Sequence, residues 1–148
     1  MAVNIQFDSS RFDETIRTML QRTEHMQVIM DRVAADMLKE TQMNFRRESS
    51  PEKMPWDPLS SVTLRRRRKQ GRGAKILQDT GQLIQSLATQ SKATRSQAYA
   101  QVGTNKDYAK KQQFGDRRIP ARSFIGFNNT MRKQYNKWIM DYITGGRT

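Results

Sequence analysis

Cysteine is absent from the 148-residue chain, and histidine occurs once, at His25. The first absence excludes disulfides, thiolate nucleophiles and Cys-based zinc sites. The second means that any Ser–His–Asp triad, or any histidine-bearing metal site, must run through a single residue. His25 lies within a strongly helical stretch, where a place on a helix face accounts for it. Long apolar runs are also missing. No segment approaches the ~20 apolar residues of a membrane span, and the N-terminal MAVNIQFDSS has no basic stretch ahead of an apolar one. The expectation is a soluble protein made in a reducing cytoplasm, with no membrane contact. Acidic residues are scarce: 14 against 27 lysines and arginines. No two of them are singled out by their surroundings, whereas a Mg²⁺-dependent nuclease needs several brought together. The glycines fit neither the phosphate-loop nor the dinucleotide pattern. The sequence therefore points away from an enzyme, with no catalytic residue, no metal, no cofactor and no small-molecule substrate expected.

What is present is positive charge. The net charge is +13 and the isoelectric point about 10.6. That balance favours an anionic partner, either nucleic acid or an acidic protein surface. Apolar residues make up 35% of the chain and the mean hydropathy is −0.88. A core can form but it is lean, so part of the chain is expected to be loop or to complete its burial on assembly. The length suits a single domain over residues 1–148.

Val3, Ile5 and Phe7 alternate with polar residues, as in a short strand. Ser10 and Asp13 have the spacing of a helix-capping pair. No glycine or proline precedes Pro51, and Phe12, Ile16, Met19, Thr23, Met26, Met30, Val33 and Met37 step by 4 and 3. This 3.5-residue period predicts one helix from Ser10 to about Arg46. Such a helix would be roughly 55 Å long at 1.5 Å per residue, longer than a domain of this size needs. It either overhangs its domain, breaks, or packs on a neighbouring subunit, and its stripe reads as an ordinary amphipathic core face or as a seam between subunits. Pro51, Pro55 and Pro58 then break the pattern, and RRRRKQGRGAK follows at residues 65–75. Like charges at this density repel, and Gly71 and Gly73 loosen the chain, so residues 47–75 read as a mobile basic loop.

Order resumes at residues 75–87, where Asp79 reads as a helix cap with Gln82 as its reciprocal partner. Ser86–Gln90 and Gln97–Thr104 read as the strands of a hairpin joined by the polar residues 91–96. Asp107–Phe114 is expected to be a short helix stopped by Gly115. Residues 119–127 are expected to be extended from Pro120 onward. Asn128 or Asn129 caps a last helix with Met131, Tyr135, Trp138, Ile139 and Tyr142 on its apolar face, ended by Gly145. The fold class is α+β: an antiparallel sheet of three to four strands built from residues 2–8, 85–90 and 97–104, with 119–125 as a further candidate. A long N-terminal helix and a C-terminal helix cover it, and a long basic loop stands outside it.

Two stretches carry the candidate sites. In the basic run, Arg65, Arg66, Arg67, Arg68, Lys69, Arg72 and Lys75 offer charge to DNA or to an acidic partner. The run holds no aromatic residue, so it provides neither stacking nor base readout. The second stretch is YAKKQQFGDRRIPARSFIGF, residues 108–127, where Arg117, Arg118 and Arg122 sit among four aromatic residues. No histidine, cysteine or carboxylate cluster surrounds it. Phe114, Phe124 and Phe127 read as packing anchors, and Arg122 as a partner for a carboxylate of its own chain or of the next subunit.

An ordered set of short motifs runs through this half of the chain. Trp56-Asp57-Pro58-Leu59 is followed by the basic run, then Ile76-Leu77-Gln78-Asp79-Thr80-Gly81-Gln82-Leu83 with Ser86. Val102-Gly103-Thr104, Tyr108-Ala109, Gln113-Phe114-Gly115 and Ile119-Pro120-Ala121-Arg122-Ser123-Phe124-Ile125-Gly126-Phe127 complete it. Over roughly residues 50–127 this set resembles the phage virion-morphogenesis, or tail-completion, family of tailed phages. Two positions depart from the family pattern: Gln112 stands where a histidine is frequent, and Ser123 where a second proline is frequent. The resemblance implies a structural protein of the head–tail neck or the head-proximal tail end, assembled as a homo-oligomeric ring and retained in the virion after assembly in the host cytoplasm. It also implies neighbouring head-connector and tail proteins as partners. Phe114, Pro120, Arg122 and Phe124 are then candidates for subunit docking, and the basic run for contact with genomic DNA or an acidic neighbouring ring. The alternative is a non-specific DNA-binding protein or regulator working through the basic run.

Overall fold

In the computed structural model, residues 10–94 and 97–146 are described. The strand expected at residues 2–8 lies outside them, as does the side chain of Phe12. The chain begins with helix α1, Ser10–Glu24, followed at once by α2, Gln27–Arg47. The single long helix that the heptad pattern predicts is therefore broken at residues 25–26. No glycine or proline causes this. The freed carbonyl of His25 accepts a hydrogen bond from the Tyr142 hydroxyl at 2.7 Å, so a residue far along the chain stabilises the break.

The consequence for packing is direct. Ile29, Met30, Val33, Ala34, Met37 and Phe45 of α2 are buried, whereas no side chain described in α1 is. Helix α2 ends at Glu48, which takes the left-handed conformation (φ 53°) that usually falls to glycine. Tertiary bonds hold it there: its carboxylate accepts from Ile76 N at 2.7 Å and its carbonyl from Trp56 N at 2.8 Å.

Helix α3, Ser61–Lys69, stands where a mobile loop was expected. Ser60 caps it by accepting from Thr63 N at 3.2 Å. Arg66, Arg67, Arg68 and Lys69 fall in its last turn, where cations complement the partial negative charge of a helix C-terminus. The density of positive charge that argues for disorder in isolation is here set at the end of a helix that favours it.

A short helix α4, Gln82–Gln85, leads into strand β1, Leu87–Ala93, which pairs antiparallel with β2, Ala98–Thr104. Their register runs from Leu87↔Thr104 to Ala93↔Ala98, so residues 91–93 belong to the strand and not to the connection. Gln27 at the start of α2 accounts for the extension: its side chain donates to Ser91 Oγ and accepts from Ala93 N. Ser91 also donates to Asp31, and this bond, with a second from Gln27, holds the Asp31 carboxyl below its ordinary pKa. Helix α2 packs across both strands.

The sheet has two strands among the described residues, not three or four. Residues 119–125 do not join it, because several of their backbone groups are bonded elsewhere: Arg122 N donates to Gln112 O and Ile119 O accepts from Asp116 N. Helix α5, Ala109–Phe114, supplies the main side-chain partner: Gln113 Oε1 accepts from Phe124 N (2.9 Å) and Ile125 N (3.1 Å), while its Nε2 donates to Ile125 O (2.7 Å). Asn44 donates to Phe124 O and Trp56 to Ser123 O. Two amide side chains and an indole, with these backbone bonds, thus replace a strand ladder.

Helix α6, Asn129–Thr144, is capped by Asn128, which accepts from Met131 N at 2.8 Å, and ended by Gly145. It lies against α1 and α2. Two apolar clusters result. One gathers Phe45, Trp56, Ile76, Leu83, Leu87, Ala109 and Phe124; the other gathers Val33, Met37, Met131 and Tyr135. Phe45 stands at the centre of the first, with its ring 5.7 Å from Trp56 and 5.3 Å from Phe124. In the second, the Tyr135 hydroxyl donates to Asp36, and burial pushes its pKa well above the ordinary phenol value. No helix among the described residues is long and apolar enough to cross a membrane.

Candidate functional site

The motifs that stand apart in the sequence converge on one groove of about 630 Å³. Ser60, Thr63 and Arg66 form one wall, residues 79–83 the base, and Tyr108, Gln112, Arg118 and Pro120 the opposite wall.

Asp79 organises the near side. It is not a helix cap: α4 is preceded by Gly81 at φ 72°, and no side chain caps it. Instead the Asp79 carboxylate meets Arg67 Nε at 3.3 Å, Arg72 Nη1 at 3.2 Å and Arg66 Nη2 at 3.7 Å. Arg67 is the buried member, and its Nη1 also donates to Lys75 O at 2.7 Å and Gly73 O at 3.3 Å. One guanidinium therefore closes the chain after α3 into a compact turn. Of the seven candidates for an anionic partner, Arg66, Arg67 and Arg72 are drawn together around Asp79. Arg65, Arg68, Lys69 and Lys75 are exposed and do not line the groove.

The far side is set by Gly115 and by Asp116. Asp116 Oδ1 accepts from the amides of Arg118 and Ile119, at 2.8 and 2.9 Å. Gly115 ends α5 with φ 75°, as its place in the sequence suggests. A β-carbon there would stand 2.8 Å from Ala121 N and 2.9 Å from Ile119 O. Gly115→Ala is expected to lower stability by about 1–3 kcal/mol, from left-handed strain and from displacement of the neighbouring strand of backbone. Urea unfolding of the purified protein measures it, and an unchanged midpoint would contradict the close approach.

The four docking candidates separate. Phe124 is 1% exposed and Arg122 6%, so both belong to the interior of their own chain. The Arg122 guanidinium donates to Asp57 O at 2.9 Å and Pro58 O at 3.0 Å rather than to a carboxylate. Burial lowers its pKa, and the nearby Asp57 opposes the shift. Phe114, at 71% exposure, and Pro120 remain at the surface. Gln113, Asn44, Glu48 and Asp116, which hold this region together, are not conspicuous in the sequence as site residues. Only Gln113 carried a signal, through its place in Gln113-Phe114-Gly115.

Among the described residues no group of three or more histidine, cysteine or acidic side chains is placed to hold a metal ion. The model of the phage virion morphogenesis family matches residues 7–144. An uncharacterized protein of Methanocaldococcus jannaschii is 30% identical over 95 residues, covering 63% of this chain and 70% of that one. No solved structure matches.

Proposed function

Because the chain belongs to the phage virion morphogenesis family, and so has a structural role in phage assembly, we propose that it completes the tail or joins it to the head. In this reading it is a ring-forming component of the neck or of the head-proximal tail end. The observation that carries the reading is a set of apolar side chains that the chain does not cover. Ile16 and Leu20 on α1 are 39% and 60% exposed, and Val28 at the start of α2 is 69% exposed. In a protein with a lean core, large apolar side chains exposed among the described residues, with Ile16 and Leu20 one turn apart on α1, favour a protein contact. Phe114 offers a second, different surface. Contact between two different patches is the head-to-tail kind from which rings close.

Particles from a phage lacking this gene are expected to be full heads beside separate tails. Leu20→Glu with Val28→Glu, supplied in place of the natural protein, should reproduce that outcome while the purified variant keeps the natural unfolding midpoint. Normal infectious particles in either case would overturn the proposal. Electron microscopy of the purified protein is expected to show rings at high concentration.

A second reading, non-specific binding to DNA, is favoured by one observation. Arg65, Arg68 and Lys69 are exposed and have no carboxylate partner among the described residues. It differs in requiring the protein before particles are built, and in duplex binding by the free monomer or dimer.

A further inference from the structure

The groove between α3 and residues 118–120 has features that a merely basic surface does not explain. Its charge is unbalanced at a defined place. Among the described residues Asp79 is the one carboxylate lining it, and three guanidinium groups share that carboxylate, one negative charge against three positive. Arg66 is the most exposed of the three, with 61% of its side chain open to solvent. On the opposite wall the Arg118 guanidinium is exposed and has no ion-pair partner among the described residues. The side chain of Arg67 is 7% exposed, yet its Nε makes no hydrogen bond, and neither does Asp79 Oδ1 facing it. The two atoms face each other at 3.3 Å as an ion pair whose geometry falls short of a hydrogen bond. Leu77, Leu83, Tyr108 and Ile119 supply the apolar part of the lining, beside the polar Thr80, Gln82 and Gln112. Leu77 holds φ 59°, a left-handed conformation that costs a leucine strain and that collects at ligand clamps.

Exposed cations and apolar groups in one lining suit an extended polypeptide with carboxylates flanking an apolar side chain. A groove of about 630 Å³ accepts several side chains, whereas a nucleic-acid duplex would lie across its mouth and leave the apolar groups uncovered. A second copy of this chain, at net charge +13, is a poor electrostatic match. We propose that the groove binds an acidic extended segment of a neighbouring virion protein. Its carboxylates pair with Arg66 and Arg118, and an apolar side chain between them rests on Leu77 and Ile119. The identity of the partner as a virion protein rests on the assembly reading above; the binding itself does not.

The test uses the purified full-length protein and a fluorescently labelled peptide of glutamate, aspartate and leucine, followed by anisotropy at constant salt. Three variants separate groove from overall charge. Arg118→Glu reverses charge on the rim, Thr80→Trp fills the groove without changing charge, and Arg68→Glu changes charge on α3 outside it. Arg118→Glu and Thr80→Trp are each expected to weaken peptide binding about tenfold or more, the scale of a lost charge-assisted contact or an occluded site. Arg68→Glu is expected to change it less than about threefold, as a screened charge at a distance does. A labelled duplex oligonucleotide is expected to lose affinity on Arg68→Glu and to ignore Thr80→Trp. Equal loss of peptide binding in Arg68→Glu and Arg118→Glu would overturn the proposal, as would undiminished binding to Thr80→Trp, or duplex binding that Thr80→Trp abolishes. Thr80 and Arg118 are both exposed, and unchanged unfolding midpoints confirm that the variants report binding. Failure here with heads and tails still unjoined in the absence of the gene would remove the groove and leave the assembly role standing.

Discussion

Phe124→Ala is expected to destabilise the protein by about 3–5 kcal/mol, the range for removing a large aromatic ring from a packed core. The ring is 1% exposed and lies 5.3 Å from that of Phe45, which has no exposure at all. Its loss opens a cavity in the cluster that joins Phe45 at the end of α2, Trp56 and Phe124. Relaxation into the cavity is restricted, because the Phe124 carbonyl is held by Asn44 and its amide by Gln113. Phe114→Ala provides the contrast. Phe114 lies ten residues earlier, with 71% of its surface exposed, and the same substitution is expected to change stability by no more than about 0.5 kcal/mol. Its effect should appear in ring formation or tail joining instead. Urea unfolding curves of the two variants measure the difference. Equal destabilisation by both would mean that Phe114 is packed against its own chain and is not a docking residue.

Asp79→Ala is expected to cost about 3 kcal/mol. Arg66, Arg67 and Arg72 all lie within 3.7 Å of this carboxylate, and Arg67 is buried. Removing one partner from a buried ion pair costs ~3–5 kcal/mol, because a charge remains without compensation. Asp79 is itself 28% exposed, so water reaches the site and the lower end of that range applies. Two further results identify the cause. Added salt should recover part of the loss, since screening acts on the repulsion among three unpaired guanidinium groups. The double substitution Asp79→Ala with Arg67→Met should be more stable than Asp79→Ala alone, because an apolar replacement of both partners removes the orphaned charge. A double variant less stable than either single one would show that the contribution of Arg67 lies in its bonds to the carbonyls of Gly73 and Lys75.

The positions legible in the sequence are those where the signal is local. Asn128 caps α6 and Gly145 ends it, Gly115 ends α5, and the hairpin lies where two polar-flanked β-patterns stand. Cap and stop signals act over three or four residues and hold here except at Asp79, which three arginines recruit instead. The apolar stripe over Met30, Val33 and Met37 also names the buried face of α2 correctly. It does not show the break at residues 25–26, however, since the same spacing runs back through Met26, Thr23, Met19 and Ile16, and no described side chain of α1 is buried.

The readings that failed depend on partners distant in sequence. Seven cations in eleven residues look like a loop until Asp79 is placed against three of them and Ser60 caps the helix. Arg122 reads as a partner for a carboxylate of its own chain or of the next subunit, and it is the carbonyls of Asp57 and Pro58, more than 60 residues earlier, that receive it. Residues 119–125 look like a strand and do not join the sheet. Their hydrogen bonds go to the side chains of Gln113, Asn44, Trp56 and Asp116 and to the backbone of Gln112 and Asp116, and no pattern in residues 119–125 themselves announces that.

By itself the sequence determined the charge, the absence of cysteine chemistry, the helix ends, the turn glycines and the ordered motifs of a phage virion morphogenesis protein. Each is a property of residue type or of near neighbours. Only the tertiary structure decided which arginines are buried and which stay in solvent, that Asp79 is shared among three of them, and that the motifs enclose one groove. The reason is physical. The burial of a charge is decided by the carboxylate or carbonyl that meets it, and which group meets it is settled only when the whole chain has packed.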